Sequence, residues 1–338
     1  MLKLGLGVGQ HWESGAREPY RAMIELAVAA EKAGFDYITQ GHHSVTPDNH
    51  DPAAPFVTLA AMAAHTSRIR LGTGIYLLPL HHPVAVAEQA LQLDQLSGGR
   101  VIFGVGVGYR PYEYAAFGVD FKSRGARLDE AMAAIRGGWE TGHYEFSGRH
   151  FSIPRTIVDP PPAQSPHPPI WVGGISDAAL RRAAKWGDGW ISDNAMTIAG
   201  EKERIDTYHR LCADEGRPEG TVAIMRNAWV AATRAEVERD WLPAAIKFHL
   251  DYLKAGSNLP DEDGIFARLQ AGEPVSLEEF ADQRGIAGTP DDCIAQLRRW
   301  HDATGCDHVQ LILSGMGGFD AKLRVIEMFG RDVIPALA

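Results

Sequence analysis

The sequence predicts an α/β fold, a closed (β/α)8 TIM barrel with insertions after strands 4 and 7. Three observations predict it. Eight short apolar segments alternate with eight helical segments along the 338 residues, the pattern of a parallel sheet wrapped by helices. One stretch, Ile69–Arg110, reads as strand, helix and strand in succession; such a βαβ unit has parallel strands and a right-handed crossover. Its two strands also end in small residues, which a backbone needs where a flat ligand lies against it.

Taken in order, Lys3–Val8 is the first strand and an Ala-rich helix covers Pro19–Ala33. Tyr37–Gln40 is the second strand, followed by a helix over Ala53–Thr66. The third strand is Ile69–Tyr76. Pro83 suits the first turn of the next helix, which needs no N–H there, and Gly98-Gly99 stops it after Leu96. Val101–Val107 is the fourth strand. Tyr109–Phe121 is a long loop whose Tyr112, Tyr114 and Phe117 either wall an apolar pocket or anchor the loop. A helix spans Lys122–Glu140, and the proline-dense His143–Pro169 reads as an extended connector. The remaining strands are Ile170–Gly173, Trp190–Ser192, Val222–Ala231 and His308–Leu313. Helices over Ser176–Trp186, Ala199–Glu215, Pro290–Thr304 and Ala321–Phe329 complete the alternation. Length alone allows two average domains or one large barrel. The strand count favours one domain over residues 1–338, with an insertion at about 234–285 on the site-bearing face as a candidate lid. A dinucleotide-binding reading fails, because Leu4–Gly9 is GxGxG rather than GxGxxG and no helix follows it directly.

Composition narrows the function classes. Apolar residues make up 45% and charged residues 22%, ordinary values for a globular chain. The formal charge of −10 disfavours nucleic acid as a partner. No apolar run approaches the roughly 20 residues of a membrane helix, so no membrane association is expected. Cys212, Cys293 and Cys306 form no CxxC pair; a reducing, cytoplasmic setting is the expectation.

Candidate chemistry gathers after the strands. His42 and His43 follow the second strand, either as proton-handling groups or as loop fasteners. A metal reading would add His50 and Asp51, but adjacent histidines on a strand point to opposite sides, so no metal is expected. His81-His82 either contacts a ligand or caps the next helix. Gly173-Gly174-Ile175-Ser176 runs from a strand into a helix start, where free N–H groups and the helix dipole suit a phosphate, with Ser176 either part of that anion site or only the helix N-cap. Asp193 and Asn194 follow the sixth strand and can bond a heterocycle edge. Arg226 lies in the apolar seventh strand, where Val222, Ile224, Arg226 and Ala228 share one face. Taken as the inward face, it gives Arg226 either an anionic ligand or a carboxylate such as Asp193 as partner.

Several pieces together resemble the bacterial luciferase-like flavin-dependent oxidoreductases. They are Gly41-His42-His43, LGTGIYLLPLHHPVAVAEQALQLDQLSGGR, FGVGVGY followed by Ala116-Phe117-Gly118, HPPIWVGGISDAALRRAAKWGDGW, and GTPDDCIAQL. The resemblance implies the same barrel and a site for reduced FMN at the C-terminal strand ends. Thr73 and Gly74 would face the isoalloxazine, Gly106, Gly108 and Tyr109 would border it, Gly173, Gly174 and Ser176 would hold the phosphate, and Asp193 would join the cofactor site. His42 matches the active-site histidine, expected to titrate near neutrality, and Arg226 matches a seventh-strand arginine of the sulfonate-oxidising branch. Departures are Val107, in place of a phosphate-binding arginine for which Arg110 is the nearest substitute, and Arg226-Asn227-Ala228, which lacks that branch's histidine. Gly41 replaces a frequent acidic residue. The implied activity is an FMN-dependent monooxygenase that takes reduced flavin from a separate reductase and uses O2 on a small organic substrate. The alternatives are an F420-dependent hydride-transfer enzyme and a non-catalytic flavin-binding or partner subunit. A homodimer or homotetramer is expected through the early helices, Ala53–Thr66 with Met62 among them.

Overall fold

A computed structural model describes residues 2–9, 19–44, 53–254, 259–313 and 318–337. His50 and Asp51 lie outside these residues. The eight expected strands are present: β1 Lys3–Val8, β2 Tyr37–Gln40, β3 Arg70–Thr73, β4 Val101–Gly106, β5 Ile170–Gly173, β6 Gly189–Ile191, β7 Thr221–Val230 and β8 His308–Ile312. All pair in parallel in sequence order, β8 returns to β1, and β6 also pairs with β7, so the sheet closes. Eight helices wrap it: α1 Pro19–Ala33, α2 Pro55–His65, α3 Pro83–Ser97, α4 Arg124–Thr141, α5 Asp177–Trp186, α6 Ile198–Asp214, α7 Pro290–Thr304 and α8 Phe319–Met328. The closed (β/α)8 barrel is therefore as the strand count predicts.

Local chemistry sets the element ends. Pro83 opens α3, and Gly98, at φ 68°, ends it in the left-handed region that glycine enters freely. Thr289 caps α7 in a reciprocal capping box with Asp292. Two connections differ from expectation. The segment after α4 is not wholly extended: His143–Ser147 and Ser152–Ile157 form an antiparallel hairpin, with Pro154 in its second strand and the other prolines in the stretch behind it. After β7 the insertion folds into four helices, Arg234–Asp240, Leu242–Lys254, Ile265–Gln270 and Leu277–Arg284, then a short strand, Gly285–Gly288, that lengthens the β7 edge.

Alternation divides each strand between two cores. Val222, Ile224 and Ala228 of β7 pack outward into the large core shared with the helices. Ala223 and Met225 point inward with Tyr37, Ile102, Trp171, Ile191 and Ile75. Arg226 is therefore on the outward face, the reverse of the sequence expectation. The error is one residue of register, which exchanges the faces of a strand.

The Gly74–Ile75 peptide is cis, and Ile75 lies among glycines at the top of the barrel. A Cβ on Gly106 would stand 1.9 Å from Ile75 Cδ1, and one on Gly173 2.7 Å from Ile75 Cγ2. One on Gly104 would stand 2.0 Å from the Thr73 carbonyl oxygen, a backbone atom that cannot rotate aside. Gly104→Ala should therefore lose about 1–3 kcal/mol or more in denaturant unfolding. Gly137→Ala, at an exposed mid-helix position of α4 with nothing within 4 Å, should gain about 1 kcal/mol. Equal effects would contradict this account of the barrel top.

Candidate active site

A cavity of about 270 Å³ opens at the C-terminal ends of the strands. It lies near the lower end of small-molecule sites, roughly 300–1,000 Å³. Its floor is Ile75, Ile191, Met225 and Ile312. Gly41, Gly74, Gly108, Gly173 and Gly174 give it flat, side-chain-free edges, Gly108 and Gly174 at φ 69° and 125°. Ser192, Asp193 and Asn194 after β6 form a polar edge, and Phe248, Tyr252 and Leu259 come from the insertion.

His42 and His43 both line this cavity but are held differently. The Leu77 N–H donates to His42 Nδ1 at 3.2 Å, so the neutral ring carries its proton on Nε2, 3.1 Å from Ser44 Oγ. Tyr76 and His81 pack against the ring, with centroids 4.4 and 5.5 Å away. Burial, with smaller contributions from His81 and His43, lowers the His42 pKa to about 3. The near-neutral titration expected of His42 is thus corrected: desolvation disfavours its cation.

His43 instead meets a carboxylate. Its Nδ1 is 3.2 Å from Glu113 Oε1, which also accepts the Ser44 N–H at 2.8 Å. Glu113 is fully buried, and its Oε2 has no partner among the described residues. The short helix Pro111–Ala116 brings Glu113 there, while Tyr114 of the same helix bonds the Val107 carbonyl and packs on Leu77 and Leu80. Tyr114 thus anchors the loop rather than walling the cavity, and Phe117 is 40% exposed. Tyr109 is the loop aromatic that lines it.

The other expected residues divide in the same way. Gly74, Gly108, Tyr109, Gly173, Gly174 and Asp193 line the cavity. Thr73 does not: its hydroxyl donates to the Gly104 carbonyl at 2.6 Å, tying β3 to β4. Gly106 makes room for Ile75, and Ser176 caps α5 by accepting the Ala179 N–H. Of the His81-His82 pair neither lines the cavity; His81 backs His42.

Arg226 is fully buried behind the wall. Its Nη2 donates to Glu201 Oε2 of α6 at 2.6 Å, its guanidinium lies 3.7 Å over the Trp300 ring of α7, and Nη1 donates to the Asp193 carbonyl at 2.9 Å. It reaches the backbone of Asp193, not the cavity. Burial raises the Glu201 carboxyl while Arg226 opposes the rise; burial also raises Asp193. Removing one partner leaves a buried charge alone, so Glu201→Ala should cost about 3–5 kcal/mol by chemical denaturation. A cost under 1 kcal/mol would mean the pair is not closed in solution.

Sequence reasoning passed over Glu113, Asn227, His249 and the insertion's aromatics. Asn227 sits on the inward face of β7, accepts the Asn194 amide at 3.1 Å and meets His249 Nε2 at 2.7 Å. Period-two counting from Ala223 would have found it. His249 belongs to a helix whose placement only the tertiary fold shows. Burial, aided by Arg284 and Arg226, lowers its pKa to about 3. Both His42 and His249 thus fold neutral, while unfolded they bind protons near 6.5. Their stability contribution is present above that value and lost as pH falls from about 6.5 toward 3, with a slope of up to about 1.4 kcal/mol per unit for each. Unfolding curves for His249→Gln should fall less steeply across this window than those of the natural chain.

The cavity lies among the strand-end loops, the face on which barrel enzymes carry their sites. The sequence profile of the luciferase-like monooxygenases matches residues 4–307, and the chain belongs to that family; it is an oxidoreductase. The oxygenase component of the flavin-dependent trigonelline monooxygenase of Acinetobacter baylyi is 28% identical over 337 residues, covering 95% of this chain and 91% of that one. The FMNH2-dependent dimethylsulfone monooxygenase of Pseudomonas putida is 29% identical over 325 residues, covering 92% and 86%. The crystal structure of monooxygenase RslO1 from Streptomyces bottropensis superposes with a TM-score of 0.86 at 24% identity, over 100% of both chains. The F420-dependent glucose-6-phosphate dehydrogenase of Amycolatopsis mediterranei is 27% identical over 357 residues, covering 100% of this chain and 99% of that one. Among the described residues no helix is long and apolar enough to cross a membrane, and no cluster of three metal-ligating side chains occurs.

Proposed function

We propose that this chain is the oxygenase component of a cytoplasmic two-component monooxygenase, receiving reduced FMN from a separate reductase and using O2 to oxidise a small organic substrate. The flat glycine-edged cavity with one polar edge carries the reading, because its edges suit a fused ring. Gly74, Gly108 and Tyr109 border the ring, while Asn194 bonds its heteroatom edge. Gly173, Gly174 and the first turn of α5 hold the phosphate. Reduced FMN, when bound, supplies the electrons that activate oxygen.

The protein's part is proton handling and exclusion of water. His43, held by Glu113, is the group placed to give or take a proton at Nε2, and Glu113 fixes the ring's orientation as a positioning residue. His42 stays neutral and hydrogen-bonded, shaping the pocket. Arg226 and Glu201 hold the Asp193 backbone. Ile75, Met225, Phe248 and Leu259 keep the cavity apolar, which protects reactive species from water. The insertion acts as the lid. Exposed Val57 on α2 and Leu96 on α3, 72% and 70% accessible, support self-association through these helices, whereas Met62 is buried in the core; light scattering showing only monomer would remove that part.

Titration of the protein with reduced FMN and with F420 tests the cofactor. Tight FMN binding, with product formed only when reductase and O2 are present, is expected; tight F420 binding with negligible FMN binding would overturn the reading. His43→Ala should lower turnover about 100-fold or more. Its FMN affinity should stay within about threefold, since the ring is placed to move a proton rather than to hold the cofactor. Glu113→Gln should also lower turnover and shift the pH–rate profile; unchanged kinetics in both would remove His43 from the chemistry.

A further inference from the structure

We propose that the substrate side of this cavity is built for an organic cation, a planar ring bearing a positive nitrogen, with Asp193 as counter-charge and Tyr109, Phe248 and Tyr252 as its aromatic faces. The inference rests on the cofactor reading above, since both ligands share the cavity.

Four observations converge. First, three aromatic rings from two separate elements meet at the wall: Tyr252 lies 4.8 Å from Phe248 and 5.9 Å from Tyr109, centroid to centroid. All three line the cavity. Ring faces carry negative potential and attract cations, most strongly where water is excluded. Second, Asp193 lines the same cavity and has no ion-pair partner within 4 Å among the described residues. Burial pushes its carboxyl up, the Ala195 N–H and the Arg226 charge oppose the rise, and a cation brought in with the ligand would favour the ionised form further. Third, the arginine that could have received an anion is turned away. Arg226 lies behind the wall, neutralised by Glu201, and touches only the carbonyl of Asp193. Fourth, among the described residues that line the cavity Asp193 is the acidic side chain and none is a lysine or arginine; Arg110 stands outside the lining, its guanidinium 5.4 Å from the centroid of the Tyr109 ring, and Glu113 is held against His43. A cation at Asp193 meets complementary charge and ring faces together.

The test uses three near-isosteres, N-methylpyridinium, toluene and benzoate, titrated calorimetrically into the protein with and without FMN. N-methylpyridinium should bind at least about tenfold more tightly than toluene, and benzoate should bind weakest. Asp193→Asn should erase most of the preference for the cation over toluene. Tyr252→Leu should weaken the cation severalfold and toluene much less, with circular dichroism confirming that both variants fold. Benzoate binding as well as the cation, or an unchanged preference in Asp193→Asn, overturns the proposal. The FMN titration separates the two readings. A protein that takes FMN but prefers benzoate defeats the substrate inference alone; one that prefers the cation and ignores FMN defeats the cofactor reading alone.

Discussion

The upper end of the barrel depends on one packing constraint. Ile75 must lie across the strand ends, and only glycine at Gly106 and Gly173 leaves it space. Gly104 sits one layer lower, against the Thr73 carbonyl. This close approach closes the barrel interior with an apolar floor, and the cavity is what remains above it. Two functions are thereby divided among residues that look alike in the sequence. Gly104 and Gly106 serve the backbone and Ile75, Gly74, Gly108 and Gly174 border the cavity, and Gly173 does both.

That division explains what was legible. The alternation of strands and helices is a one-dimensional signal, and all eight barrel strands follow from it within a residue or two at most ends. The third strand breaks early, because the chain leaves the ladder at Gly74 to lay Ile75 inward. The hairpin at His143–Ile157 was hidden because its two strands are short, partly exposed and joined to a proline-rich stretch that reads as extended chain. The site was legible as a set of loops but not side chain by side chain. Gly-His-His after β2 and Asp-Asn after β6 reach the cavity as read. Thr73 and Ser176 do not, since a hydroxyl beside an unpaired backbone group is consumed locally, by the Gly104 carbonyl and the Ala179 N–H.

Arg226 shows why a charge in an apolar strand is ambiguous. Such a residue needs a partner, and the partner can stand on either side of the sheet. Register alone decides, and the assigned face was one residue out. Here Glu201 and Trp300 come from the helix layer, more than twenty residues distant on either side, and no local pattern announces them. The pair still touches the site through the Asp193 carbonyl. The ion pair behind the wall thus holds the segment that presents the cavity's own carboxylate.

The insertion is joined in a similar way, and this limits how the cavity can open. His249 of the Leu242–Lys254 helix bonds Asn227, which bonds Asn194 at the polar edge. Arg284 at the far end of the insertion bonds the Ala195 carbonyl at 2.7 Å and pairs with Asp263. A rigid swing of the whole insertion would break the His249–Asn227 and Arg284–Ala195 bonds, at about 1–3 kcal/mol for each, while the Arg284–Asp263 pair would move with it. Tyr252 and Phe248 project from the same helix into the cavity, and Phe248 packs against the His249 ring, so the bonds of His249 and Arg284 fix the aromatic wall to the strand ends from which the cavity opens.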